Sequence, residues 1–79
     1  MSKEWNEAVA AAEAAAERKQ AAEESAQERF DAARARCEAA GRADQVTQTP
    51  EFQEWMAARH ASDEAWGAWA MAMDAKPGA

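Results

Sequence analysis

The chain has 79 residues, room for one domain (1–79), and carries fifteen acids against nine lysines and arginines, a net charge of -6. That balance opposes direct binding to DNA, RNA or an anionic membrane and favours basic protein partners. One cysteine, Cys37, and one histidine, His60, exclude an intrachain disulfide and a zinc site with four protein ligands.

The apolar fraction, 48%, is mostly alanine. Leucine, isoleucine and tyrosine are absent, and Val9 and Val46 are the only valines. So few β-branched or large aliphatic residues argue against a sheet, whereas Ala, Glu, Gln, Arg and Met favour helix. No run approaches the ~20 apolar residues of a membrane span. The opening "MSKEWNEAVAAAEAAAERKQ" lacks the apolar segment of an export signal. With a free thiol, this fits a reducing cytoplasm.

Taken in chain order, the first element is a helix from about residue 3 to about residue 40, ~55 Å long at 1.5 Å per residue. Ser2 suits its N-cap, Glu4 its positive end, and Gly41 its C′ position. Its most polar part, Glu23 to Gln27, is where a kink would fall. The stretch "GRADQVTQ" reads as a linker. "TPEF" then opens a second helix: Thr49 as N-cap, Pro50 at the first helical position, Glu51 in the first turn. That helix runs to about Met73, and Pro77 cannot continue it.

Apolar spacing makes the pair an antiparallel helical hairpin. Phe52, Trp55, Met56, Trp66, Trp69, Ala70 and Met73 form one stripe on the second helix, interrupted by Arg59 and Ser62. Trp5, Val9, Ala12, Ala16, Ala26, Phe30, Ala33, Cys37 and Ala40 form the matching stripe on the first, interrupted by Lys19 and Glu23. Large residues facing small ones interdigitate, so the tryptophans are expected across the alanine face. A turn centred on the linker puts Phe52 near Ala39, Trp66 near Ser25 and Trp69 near Ala22. The first ~15 residues then overhang and expose Trp5, Val9, Ala12 and Ala16. A second copy covering them would make a homodimeric helical bundle, and these four residues are the expected dimer or partner contact.

Charge is uneven along the chain. Residues 1–28 hold seven Glu against Lys3, Arg18 and Lys19; residues 29–42 hold Arg29, Arg34, Arg36 and Arg42 against Asp31 and Glu38. Arg34–Glu38 is an expected helical pair, and Arg59 is expected to reach Asp31 or Glu28. Glu7, Glu13, Glu17, Glu24 and Glu28, with Glu54 and Glu64, fall on outward faces and are the candidate binding residues for a basic partner. A row of carboxylates can imitate phosphates toward a basic groove; the plain alternative is a solvated face. Cys37 and His60 fall at different levels of the hairpin, so no nucleophile–base pair forms. Catalytic, cofactor and metal sites are therefore expected to be absent.

The alanine-rich, acidic, cysteine-poor chain with its segment "TPEFQEWMAARHASDEAWGAWAMAMD" resembles small accessory proteins of phages and prophages in high-GC bacteria. Among those it is similar in size, charge and build to anti-CRISPR proteins, several of which are tiny, acidic and helical. These proteins share no common fold or signature, so no residue role carries over. The resemblance implies a non-enzymatic inhibitor in the cytoplasm of a bacterial host. Its implied partner is a basic Cas protein or complex, bound stoichiometrically. The alternative reading is a structural or regulatory helical adaptor, such as a phage assembly chaperone or transcription cofactor.

Overall fold

The computed structural model describes residues 3–77. The chain is an all-α helical hairpin: α1 spans Lys3–Ala39, a short 3₁₀ helix spans Ala43–Gln48, and α2 spans Pro50–Asp74. The expected N-cap, Ser2, lies outside the described residues. The two long helices pack into a rod of 60 × 15 × 14 Å. α1 runs unbroken through Glu23–Gln27.

The ends of the helices follow from local backbone chemistry. Gly41 sits at φ +72°, the left-handed region that costs a side-chain-bearing residue about 1–2 kcal/mol. Its N–H donates to the Glu38 carbonyl at 3.1 Å, and the Arg42 N–H donates to the Cys37 carbonyl at 2.7 Å. This paired closure is a Schellman motif, which satisfies carbonyls that α1 leaves open. At the start of α2, the Thr49 hydroxyl accepts from the Phe52 N–H at 3.2 Å and donates to the Val46 carbonyl at 2.7 Å. One hydroxyl thus joins the 3₁₀ helix to α2, with Pro50 supplying a preset φ.

The pairing register differs from the expected one. Phe52 lies against Phe30 rather than Ala39, with ring centroids 5.6 Å apart. Trp66 donates to the Gln20 side-chain oxygen at 3.0 Å, rather than lying at Ser25. The linker explains the shift. It is a 3₁₀ helix packed on α1, and its ~2.0 Å rise per residue advances the chain farther than a simple turn of that length does. A turn centred on the linker ignores that travel.

The expected overhang closes as a result. Ala16 is fully buried, and Trp5, Val9 and Ala12 are half-buried within the single chain. The Trp5 indole N–H donates to the Ala72 carbonyl at 2.8 Å. The expectation of an uncovered Trp5–Ala16 stripe, and the argument for a second copy built on it, is therefore corrected: α2 itself reaches this stretch.

The seam on α2 is also rotated. Ser62, expected as an interruption, is its one buried residue, while Ala70 and Met73 are exposed. Ala58, Ala61, Ala65 and Ala72 are half-buried around it. The core on α1 is Ala16, Ala26, Phe30 and Ala33. An indole between two helices forces them apart, whereas Ala and Ser let backbones approach and gain dispersion contacts along their length. Trp5, Trp66 and Trp69 flank this line, half-buried, instead of lying across the alanine face. Only at the linker end do large side chains enter the seam. There Phe30 stacks on Trp55 at 4.8 Å, and Phe52 meets Trp55 edge-on at 6.5 Å.

Candidate interaction surface

Two of the basic-band arginines fasten the helices to each other. Arg36 pairs with Glu51 at 3.1 Å and Arg29 with Glu54 at 3.7 Å. Arg34 pairs with Asp31 at 3.5 Å, not with Glu38, and its guanidinium lies 6.0 Å from the Phe30 ring centroid. With Asp31 taken by Arg34, Arg59 makes neither expected contact and is exposed. Two of the four arginines in residues 29–42 thus fasten the linker end of the hairpin.

All seven candidate acids, Glu7, Glu13, Glu17, Glu24, Glu28, Glu54 and Glu64, are exposed. They are not equivalent. Glu54 is engaged by Arg29, and Glu64 contacts the His60 imidazole at 3.2 Å. Among the described residues, no salt bridge involves Glu13, Glu17, Glu24 or Glu28. At 100° per residue these four share an arc of about 60° on the outer side of α1, with Glu7 set to one side. Glu13 and Glu17 stand one turn apart, as do Glu24 and Glu28. Each such like-charge pair destabilises an isolated helix by about 0.2–0.5 kcal/mol.

The four residues expected to meet a dimer partner, Trp5, Val9, Ala12 and Ala16, instead form the far end of the hairpin. Trp5 is held from two sides, by the Ala72 carbonyl and by Lys76, whose Nζ lies 5.7 Å from the ring centroid. Gln20, Ala72 and Lys76 went unnoticed in the sequence because each acts on a tryptophan distant along the chain. The regular four–three spacing of Trp5, Val9, Ala12 and Ala16 was the available signal. It continues without change into Ala26, Phe30 and Ala33, and so marks one seam with one partner helix.

Cys37 is half-buried at the last turn of α1, and His60 is exposed on α2 beside Glu64. Among the described residues, no three His, Cys, Asp or Glu side chains gather as metal ligands, and no helix is long and apolar enough to cross a membrane. The Trp55 indole nitrogen is buried and has no hydrogen-bond partner. The Gly67 position is exposed, and a β-carbon built there meets nothing within 4 Å.

No protein-family model matches the chain, and neither a curated protein nor a solved structure matches it.

Proposed function

We propose that the chain is a protein-binding inhibitor of the anti-CRISPR kind, which docks the acidic outer face of α1 on a basic nucleic-acid path of a Cas protein or complex. The observation carrying this reading is the row Glu13, Glu17, Glu24 and Glu28, exposed and without salt-bridge partners among the described residues. Repulsion within Glu13/Glu17 and Glu24/Glu28 is relieved when a basic surface covers them, so the cost in the free protein becomes a gain on binding.

Magnitudes limit what kind of imitation this is. Glu13 to Glu28 spans ~22 Å of helix, a mean spacing of ~7–8 Å between carboxylates. Duplex DNA carries one charge per ~1.7 Å of axis, and a single strand one per ~3.4 Å. The row is therefore too sparse to stand in for a duplex. It fits a few lysines or arginines spaced about a helical turn or two apart. A rod 15 Å across suits a channel better than a flat surface.

Affinity capture of the tagged protein from a CRISPR-carrying host, read by mass spectrometry, tests the partner. Recovery of Cas subunits supports the reading. Recovery of virion or polymerase components in their place overturns it in favour of a helical adaptor. Reversing Glu13, Glu17 and Glu24 to lysine tests the surface. Inhibition should fall at least tenfold, and unchanged inhibition would remove the acidic face from the mechanism.

A further inference from the structure

We propose that the end of α2, residues 68–74, is a flap hinged at Gly67, which opens and closes over the start of α1 while the linker end stays packed. Three features meet at one level of the rod. Gly67 is the only glycine within the described helices. Nothing in the packing asks for it: the position is exposed, and a β-carbon built there meets nothing within 4 Å. Proline aside, glycine favours helix least, so α2 bends here more readily than at the alanines around it. The residue before it, Trp66, is fastened to Gln20 at 3.0 Å, which sets Gly67 beside Lys19 and Gln20 of α1. There the α1 stripe is polar. Lys19 is exposed, Glu23 is half-buried, and no residue between Ala16 and Ala26 is buried. The apolar seam is thus interrupted at the level where α2 is intrinsically weakest.

The two helices do not share the motion. Around this level α1 is built from alanine with Glu, Arg, Lys and Gln and has no glycine or proline, so it stays straight. The flap is lightly held. Only Trp69 and Ala72 of residues 68–74 are half-buried, and the rest are exposed. Its latch is the Trp5 indole N–H on the Ala72 carbonyl at 2.8 Å, with Lys76 beyond it, 5.7 Å from the Trp5 ring centroid. The linker half is held by the stacked rings of Phe30 and Trp55 and by two ion pairs between the helices. Regions with little buried apolar contact open first, and a hinge residue absorbs the change in backbone angles. Lifting the flap uncovers Trp5, Val9, Ala12 and Ala16 together. The acid row stays on an unbent α1, so the flap is independent of the inhibitory reading.

Thiol labelling under native conditions reads the opening, in a Cys37→Ser background with circular dichroism confirming that each variant is helical. Ala16→Cys reports from beneath the flap and Ala33→Cys from the linker half; the two positions are equally buried, at 0% and 1% exposure. Ala12→Cys serves in place of Ala16→Cys if the fully buried site does not accept sulfur. Labelling at Ala16→Cys should be about tenfold faster or more, and nearly insensitive to low denaturant, because local opening exposes little surface. Gly67→Ala should slow it about fourfold to fivefold, the factor by which alanine favours helix over glycine. Adding Ala57→Gly restores a glycine to α2 at an exposed position on the linker side of the hinge, and labelling should stay slow. Recovery of the original rate would mean that Ala16 is reached only when the whole rod unfolds. That result overturns the proposal, as do equal labelling at Ala16→Cys and Ala33→Cys and a rate that Gly67→Ala does not move.

Discussion

The two ends of the hairpin are held by different means. At the linker end, Phe30, Phe52 and Trp55 pack ring on ring, and Arg36–Glu51 and Arg29–Glu54 cross between helices. The Schellman closure at Gly41 and the Thr49 cap lie within the same stretch. At the far end the seam is alanine, and the tryptophans act from its edges: Trp66 to Gln20, Trp69 edge-on to Trp66 at 5.5 Å, Trp5 to Ala72 and Lys76. The linker end joins residues close in sequence, so little loop entropy opposes it. The far end joins residues at opposite ends of the chain and rests on shallow contacts. Stability should therefore fall from the linker toward Trp5, as it does wherever buried apolar contact thins out.

The largest way to break this comparison is Phe30→Ala. Removing the one large side chain buried in the seam should cost about 3–5 kcal/mol, enough to leave so small a domain largely unfolded by circular dichroism. Trp5→Phe should cost about 0.5–1.5 kcal/mol for the lost hydrogen bond. Its signature is local: amide exchange should speed up in the first turns of α1 and the last turns of α2, with the linker end unchanged. Loss of protection along the whole rod would mean that the two ends open together. Gly67→Ala should stabilise by about 0.8–1.0 kcal/mol, since the position is open and helical. A gain of that size raises the melting temperature by about 4–8 °C. Arg29→Gln is the smallest, about 0.2–1 kcal/mol, because both partners are more than half exposed; denaturant melts should show the loss shrinking with added salt.

What the sequence made legible follows the same division. Both helices, the linker, Gly41 as C′ and Thr49–Pro50–Glu51 as a helix start are readable because each rests on the chemistry of one short stretch of backbone. The exposure of all seven acids was readable for a similar reason, since the arc they occupy depends on helix geometry alone. The register was not, because it depends on how far the linker travels, and "GRADQVTQ" does not announce a 3₁₀ helix running along α1. Apolar size is a poor guide to the seam on α2. In a two-helix rod the line of closest approach selects Ser62 and its neighbouring alanines, and sends Met73 and Ala70 outward. Trp5 followed from both errors, placed in solvent when α2 reaches it.

The Trp5–Ala72 contact tests the account most directly, because it requires one chain to close on itself along its whole length. Nuclear Overhauser spectra would be recorded on uniformly labelled protein and on an equal mixture of labelled and unlabelled chains. The account predicts a cross-peak between the Trp5 indole proton and Ala72 in the uniform sample, absent from the spectrum filtered for contacts between chains. A cross-peak found only between chains would contradict it, and would mean that α2 covers the far end of a neighbour rather than its own.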